Sequence, residues 1–295
     1  MSGVRLHLVD GTFELFRAHY GKRPDHLDPQ GRDRKATVGV VSSLIALFED
    51  DAEKCTHLGI AFDNPIESFR NELFDGYKTG AGMEPALVEQ MDPVEEACRA
   101  LGVVVWSMDR WEADDALATA AVRFATDVEQ VRIMTPDKDL GQVLDDGKIV
   151  QVDRIRQKVI DEAAMTERRG VPPASIPDWL ALVGDTADGI PGIPGFGEKS
   201  AAAVLAHYGT VEAIPQYDRE WQVKVRGAKR LATNLAEARD AAILYKKLAT
   251  LVTDVPLKES LDDLRWAGAD PAQWHAWCDR VGASESLRRR PRLRG

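Results

Sequence analysis

Three short apolar runs in the first half of the chain are each followed by an aspartate. The runs are residues 4–9, 56–62 and 131–135, and the aspartates are Asp10, Asp63 and Asp137. Short apolar runs that alternate with helical segments favour a mainly parallel α/β sheet flanked by helices. Ligands of such sheets bind beyond the carboxyl ends of the strands. These aspartates are therefore predicted to lie at a ligand-binding edge.

The remaining elements follow from periodicity. Helices are predicted over residues 37–48, 86–100, 113–125, 199–208 and 228–251, with a further strand over 103–106. From about residue 172 the pattern is mostly helical and opens with Val171-Pro172-Pro173. The chain is therefore predicted to have a sheet-containing first part and a helical second part.

Nine acidic residues fall into five short clusters along the chain. They are Asp10, Asp63, Glu112, Asp114, Asp115, Asp137, Asp139, Asp185 and Asp188. Each cluster alone has an ordinary explanation, such as a helix start or a solvated turn. Together they predict a divalent-metal site, because carboxylates gathered without a cation repel one another. Ligation by oxygen alone favours Mg²⁺ or Mn²⁺ over zinc or copper.

The net charge of −10 argues at first against a nucleic-acid partner. Setting the nine clustered acids aside leaves −10 + 9 = −1, so the distribution of charge is more informative than its sum. The three cysteines have no metal-ligand spacing and are expected to be free thiols in a reducing cytoplasm. No membrane span and no signal peptide are expected.

Asp10-Gly11-Thr12 after a strand also suggests phosphatases of the haloacid-dehalogenase type. Those enzymes need a nucleophilic aspartate two positions before this one, and Leu8 stands there. An aspartyl-phosphate mechanism is therefore excluded.

Two further segments offer groups for phosphate. Arg70 and Lys78 are eight residues apart, and on one helix they would lie near one face, where they could clamp a phosphodiester. The run from Gly192 to Ser200 combines glycines with a helix start, which allows close approach of a phosphate to free N–H groups. Lys199 and Ser200 are its expected side-chain contacts. Alone, the first segment could be a surface helix and the second a Gly/Pro turn.

Five motifs together resemble the 5′ nuclease superfamily of flap endonucleases and 5′-3′ exonucleases. They are LVDGT (8–12), AFDNPIESFRNELFDGYK (61–78), EADD (112–115), TPDKDL (135–140) and GDTADGIPGIPGFGEKSA (184–201). The likeness extends to the 5′ nuclease domain of bacterial DNA polymerase I. No polymerase domain follows, so a stand-alone member is expected.

The resemblance implies a PIN-like catalytic domain over residues 1–170, a helix–three-turn–helix DNA-binding region over 171–260, and an extension with a basic tail over 261–295. It implies two Mg²⁺ or Mn²⁺ sites. The first would use Asp10, Asp63, Glu112, Asp114 and Asp115, and the second Asp137, Asp139, Asp185 and Asp188. It gives catalytic roles to Lys78 and Arg70. It gives DNA contacts to Arg17, Tyr77, Gly192, Ile193, Gly195, Gly197, Lys199 and Ser200, with K⁺ bound at the glycine run.

The chain departs from the family pattern at two places. Gly189 stands where an asparagine is frequent, and no arginine follows Lys78 within residues 79–83. The second departure puts the guidance of a 5′ flap in question. The arginines between Arg288 and Arg294 are expected to form a solvated tail.

The expected function is metal-dependent, structure-specific cleavage of DNA at 5′ ends, flaps and nicks, leaving 5′-phosphate and 3′-hydroxyl ends, in primer and flap removal. A non-catalytic DNA-junction binding protein is the alternative from another class. A PIN-type toxin ribonuclease is disfavoured, because such chains lack the glycine run. We expect a cytoplasmic, nucleoid-associated monomer.

Overall fold

A computed structural model describes residues 3–295. The chain forms two compact units. The first comprises the residues up to Ile66 together with Gly80–Thr135 and Thr253–Gly295, and the second comprises Glu67–Thr79 and Pro136–Val252. Each unit is described by itself.

The strands of residues 3–295 are β1 (Arg5–Asp10), β2 (His57–Asp63), β3 (Val104–Met108), β4 (Gln130–Met134), β5 (Ile149–Asp153) and β6 (Lys158–Ile160). The α-helices are α1 (Gly11–Tyr20), α2 (Lys35–Phe48), α3 (Phe69–Leu73), α4 (Pro85–Val88), α5 (Met91–Ala100), α6 (Ala113–Phe124), α7 (Glu162–Arg169), α8 (Ile176–Val183), α9 (Glu198–Tyr208), α10 (Ala228–Glu237), α11 (Arg239–Ala249), α12 (Pro271–Val281) and α13 (Glu285–Arg289).

The first unit contains four parallel strands in the order β3-β2-β1-β4. The side chains of β1, β2 and β4 are buried almost throughout, as expected for parallel strands covered on both faces, whereas the edge strand β3 is only partly buried. Val9 pairs with Ile60 and with Met134, so β1, β2 and β4 end at the same edge. The predicted parallel sheet with flanking helices is confirmed, and it brings the ends of β1 and β2 side by side.

The helix predicted over residues 86–100 is two helices, α4 and α5. The chain breaks at Gln90, whose buried side chain is used elsewhere. Its Oε1 accepts hydrogen bonds from the Thr37 backbone N–H at 3.0 Å and from the Thr37 hydroxyl at 3.2 Å. The Gln90 side chain thus accepts hydrogen bonds from the first turn of α2, and α4 and α5 are separated at this residue.

An ion network joins Glu53 to strands β1 and β4 of the first unit. Glu53 accepts a hydrogen bond from Arg132 Nε at 2.6 Å and lies 3.1 Å from Nε2 of the buried His7. The bond to His7 is the main reason that the pKa of Glu53 falls to about 2, and Arg132 lowers it further. Glu53 therefore stays ionised wherever this unit is folded near neutral pH.

The C-terminal residues are an ordered part of the first unit. Trp274 and Trp277 on α12 are buried with ring centroids 4.9 Å apart, and Trp274 Nε1 donates to the Arg288 carbonyl at 2.8 Å. Arg290 pairs with Glu49 at 2.5 Å. The arginines from Arg289 to Arg294 are exposed to solvent as expected, but they do not form a free tail, because backbone and ion-pair contacts hold the segment on the first unit.

The second unit combines a β-hairpin with helices. Strands β5 and β6 pair antiparallel, with Gln151 opposite Ile160, and α8 packs against α9 and α11. The helix predicted over residues 228–251 is two helices that meet at Ala238. Arg239 anchors the start of α11 by donating to the Ile214 carbonyl at 2.8 Å. The predicted mostly helical second part is confirmed.

Candidate metal centre and DNA-binding surface

Asp10 is the last residue of β1 and the N-cap of α1. Its Oδ1 accepts from the Phe13 N–H at 2.8 Å, and its Oδ2 accepts from the Thr135 hydroxyl at 3.0 Å. The side chain is buried. The position follows from the sequence, since a strand end that is also a helix start must satisfy exposed N–H groups.

Asp63 ends β2 and contacts the start of α6. Its Oδ1 accepts from the Ala113 N–H at 2.7 Å, and its own N–H donates to the Thr12 hydroxyl at 2.8 Å. On α6, Glu112 and Asp115 form a capping box, in which the Glu112 N–H donates to Asp115 Oδ2 at 3.0 Å. Part of this carboxylate group is thus held by helix-cap bonds.

The three acids at the start of α6 differ in burial. Glu112 and Asp115 are buried, whereas Asp114 is half-buried on the same turn. Such burial would disfavour ionised carboxylates without hydrogen bonds or a cation. The five acids of the first unit thus lie at the ends of β1 and β2 and at the start of α6, and their convergence on one metal ion stays a prediction.

The acids of the second unit converge more tightly. Asp139, Asp185 and Asp188 each offer a carboxylate oxygen, and these oxygens lie within 4.8 Å of one another. Asp185 and Ile190 exchange backbone hydrogen bonds of 2.8 and 2.7 Å, which close the loop that presents Asp185 and Asp188. Asp185 and Asp188, which follow Asp139 by 46 and 49 positions in the sequence, are thereby brought close to it.

Asp137 and Lys138 complete this cluster. Asp137 Oδ1 accepts from the Asp139 N–H at 2.9 Å, so it orients the turn. Lys138 Nζ hydrogen-bonds to Asp185 and lies 3.4 Å from Asp139 Oδ1. Sequence reasoning missed Lys138, although its place between two of the predicted ligands, in Asp137-Lys138-Asp139, was the available signal.

The protonation equilibria reflect crowded charge. Burial raises the pKa of Asp139 well above its ordinary value, and the charges of Asp137, Asp188 and Asp185 raise it further. Burial alone would lower the pKa of Lys138, but the charge of Asp139 and the bond to Asp185 raise it. Lys138 is therefore a charged counter-ion of this cluster.

The donor set fits a hard divalent cation. Within residues 3–295, the buried Asp139 Oδ1 accepts no hydrogen bond. The three carboxylates and Asp137 outnumber the two lysines beside them, Lys138 and Lys78, and all the candidate ligand atoms are oxygens. These are the ligand properties that Mg²⁺ and Mn²⁺ prefer.

Lys78 is held at the same cluster. Its Nζ lies 3.1 Å from Asp188 Oδ1, and its backbone N–H donates to the Asp188 carbonyl at 3.0 Å. Gly189 has φ +74°, and a Cβ there would overlap the carbonyl oxygen of Gly76. The glycine in place of the family's frequent asparagine thus allows the two loops to pack closely.

The predicted shared helix face of Arg70 and Lys78 is wrong, because α3 ends at Leu73. Arg70 is 1% exposed. Its guanidinium donates to the carbonyls of Leu248 and Thr250 at 2.8 and 3.0 Å. Arg70 therefore anchors its segment through these two backbone carbonyls.

Two other expected DNA contacts have internal partners. Tyr77 is buried, with Lys78 Nζ 5.7 Å from its ring centroid. Arg17 hydrogen-bonds to the buried Glu14 and donates to the Ser43 hydroxyl at 2.9 Å. Their roles toward DNA stay predictions.

The glycine run divides into a buried and an exposed half. Gly192 and Ile193 are buried, and the Ile193 N–H donates to Leu182 at 2.8 Å. Gly195, with φ +92°, and Gly197 are exposed. Backbone contact with a phosphate is therefore open only to the second half. The predicted K⁺ site stays a prediction.

Helix α9 begins at Glu198, directly after Gly197. Lys199 is exposed, whereas the Ser200 hydroxyl accepts from the Gly197 N–H and donates to the Gly197 carbonyl, both at 3.0 Å. Ser200 thus caps the turn, and Lys199 is the side chain presented to solvent.

Comparison with protein families places this arrangement. Residues 5–170 match the 5′-3′ exonuclease, N-terminal resolvase-like domain, and residues 171–272 match the 5′-3′ exonuclease, C-terminal SAM fold. The chain belongs to the 5′-3′ exonuclease family. This family membership was predicted from the five motifs and is confirmed.

Similar proteins of this family include DNA polymerases I. That of Pseudomonas aeruginosa is 36% identical over 267 residues, covering 90% of this chain and 29% of the polymerase. That of Bacillus subtilis is 32% identical over 291 residues, covering 97% of this chain and 32% of the polymerase. The chain thus spans about a third or less of the length of these relatives.

Solved structures show the same fold. T5 5′-exonuclease with bound zinc matches with a TM-score of 0.66 at 20% identity, over 85% of this chain and 90% of that one. Human GEN1 in complex with Holliday junction DNA matches with a TM-score of 0.63 at 13% identity, over 96% and 68%. Across residues 3–295, no helix of this exonuclease-family chain has the length and apolar character needed to cross a bilayer.

Proposed function

We propose that the protein is a divalent-metal-dependent nuclease that cleaves DNA phosphodiesters at 5′ ends, flaps and nicks, leaving 5′-phosphate and 3′-hydroxyl ends. The observation that carries the proposal is the convergence of Asp139, Asp185 and Asp188 beside Lys78. An oxygen-only cluster with an adjacent cation suits a phosphodiester, whose charge rises in the transition state.

In the proposal each carboxylate group holds one Mg²⁺ or Mn²⁺. Asp139, Asp185 and Asp188, oriented by Asp137, would hold one ion. The group of Asp10, Asp63, Glu112, Asp114 and Asp115 would hold the other. A divalent cation supplies Lewis-acid stabilisation of phosphate oxygens and lowers the pKa of bound water.

Lys78 supplies fixed positive charge at the reacting phosphate. Its ammonium is already held by Asp188, so little reorganisation is needed when a phosphate approaches. Arg70 positions Lys78, because its hydrogen bonds to the Leu248 and Thr250 carbonyls fix the segment that bears Lys78. We thus assign the phosphate clamp to Lys78 and an anchoring role to Arg70.

The DNA substrate is supported by similar proteins. T5 flap endonuclease has a structure with DNA and metal ions, and GEN1 has one with junction DNA. We carry a DNA substrate over to this chain, with the exposed turn at Gly195 and Gly197 and with Lys199 as backbone contacts. The similarity to DNA polymerases I supports a role in primer and flap removal, which is part of the proposal. The proposal also includes a monomeric state, a cytoplasmic, nucleoid-associated location, K⁺ at the glycine run and a domain boundary after residue 170.

Cleavage of a 5′-flap DNA and a nicked duplex tests the proposal. Activity is expected with Mg²⁺ or Mn²⁺ and should be absent with EDTA. Asp185→Asn should reduce the rate at least about a hundredfold, as for groups that stabilise the transition state. Glu167→Gln is the matched control, because Glu167 is an exposed acid of the same unit. Cleavage that persists in EDTA would contradict the metal mechanism.

The same assay decides the alternative of a non-catalytic junction-binding protein. Binding without cleavage under every metal condition would favour that alternative. Lys78→Ala should slow cleavage far more than it weakens binding, because the clamp acts on the charge that develops during reaction. Equal losses of rate and affinity would reduce Lys78 to a backbone contact.

A further inference from the structure

A cleft of about 900 Å³ lies within the second unit, on the exposed side of the glycine run. One wall is the turn at Gly195 and Gly197 with the start of α9. The other wall is the segment from Lys224 to Gly227 with the first turn of α10. The motifs of the family resemblance assigned residues only to the first wall.

Positive charge is concentrated in this cleft. Its lining contains four exposed cations, which are Lys199, Lys224, Arg226 and Arg230. Within residues 3–295 none of the four makes an ion pair, whereas the one acid of the lining, Glu198, lies 3.6 Å from Arg169 outside the lining. In a chain of net charge −10, four unpaired cations around one concavity indicate an anionic ligand.

The two walls are joined at the glycine turn. A Cβ at Gly195 would lie 3.0 Å from Arg230 Nη2, so the guanidinium rests directly against this turn. One helical turn further, Asn234 Nδ2 donates to the Pro194 carbonyl at 2.6 Å. Helix α10 therefore fixes the turn and places a cation beside it.

The composition of the lining identifies the kind of anion. The lining residues include no aromatic side chain, so bases have no ring on which to stack. A pocket for a small nucleotide would also be expected to enclose its ligand, whereas this cleft is open to solvent. Exposed cations on two sides suit a polyanion that stays partly in solvent, as a nucleic-acid backbone does.

We infer that the cleft holds the backbone of duplex DNA on two walls at once. Lys199 and the glycine turn contact one stretch of phosphates, and Lys224, Arg226 and Arg230 contact another. The inference rests on the proposed function and adds a second set of phosphate contacts to it. Both walls read charge and shape, so the cleft favours duplex over single strands without favouring a sequence.

The salt dependence of binding tests the second wall. Each phosphate contact on duplex DNA contributes about 0.9 to the slope of log K against log salt concentration. Lys224→Ala/Arg226→Ala should therefore reduce the slope by about 1.8 for a nicked duplex in EDTA. The affinity deficit should then shrink about tenfold between 50 and 200 mM salt.

Lys229→Ala is the matched control, because Lys229 is an exposed cation next to Arg230 that does not line the cleft. A slope for the double variant no smaller than that of the control would overturn the inference. An equal loss of affinity for a single strand of the same length would also overturn it. Because binding is measured in EDTA, a failure of cleavage leaves this result unaffected, and the two proposals fail separately.

Discussion

Lys138 neutralises the acidic cluster of the second unit when no metal is bound, and Lys138→Met should expose this role. Its ammonium bonds to Asp185 and lies 3.4 Å from Asp139, with a side chain that is 27% exposed. Breaking a fully buried pair costs about 3–5 kcal/mol, whereas an exposed pair contributes about 0–1. For this intermediate case we expect a loss of about 2 kcal/mol in the unfolding free energy without metal.

The same substitution should tighten metal binding. In the native protein a cation must displace the lysine from Asp185, and in the variant that competition is absent. If the whole 2 kcal/mol is recovered on binding, the dissociation constant of Mn²⁺ falls by about 30-fold. The variant should melt about 4–8 °C lower in EDTA and recover more than the native protein when Mn²⁺ is added.

Calorimetric titration with Mn²⁺ and thermal unfolding in EDTA provide the two measurements. Lys158→Met removes one exposed positive charge from the same unit and serves as the control. An Mn²⁺ affinity of Lys138→Met that equals the control, or is weaker than the native value, would refute the role of Lys138 as a competing counter-ion.

Three further outcomes follow from the contacts. In Gly189→Ala, strain at positive φ (about 1–3 kcal/mol) adds to a clash with the Gly76 carbonyl, so the loss of unfolding free energy should exceed that from strain alone. Gly209→Ala, at φ +79° with open space around the added Cβ, is the control for strain alone. A denaturant titration measures both losses. Glu53 has a pKa of about 2 when folded, mainly through His7, against an ordinary 4.5, so its stabilisation is complete above pH 4.5 and lost as the pH falls toward 2. Glu53→Gln should therefore flatten the acid limb of stability measured by urea unfolding, and an unchanged limb would contradict this assignment. Trp274→Ala should cost about 3–5 kcal/mol, and a loss below 1 in the same titration would show that the C-terminal segment contributes little to the first unit.

Local pattern predicted the features that local physics decides. The strands ending at Asp10 and Asp63 were predictable, because a short apolar run between helical segments has few alternatives to a buried strand. The hairpin of β5 and β6 was not, since its turn contains no glycine and Gln157 adopts φ +52°. Turn chemistry was thus the missing signal.

Long-range contacts explain the other features that the sequence did not predict. Arg290 and Glu49 are separated by 241 residues, and nothing near either one predicts the pair. Lys138 and Asp185, 47 residues apart, meet only because the loop that ends at Ile190 closes. The metal ligands could be selected by residue type, whereas the lysine between them could be recognised only after folding.

The order in which the chain visits its two units limits how this protein can be recombined. The chain passes from one unit to the other after residues 66, 79, 135 and 252, so the first unit is encoded in three stretches and the second in two. A gene segment for residues 136–252 would leave behind Lys78, which contacts Asp188 within that segment. Exchange of the second unit between homologous genes therefore requires two coordinated replacements, and the Lys78 loop must be inherited together with the acids that it serves.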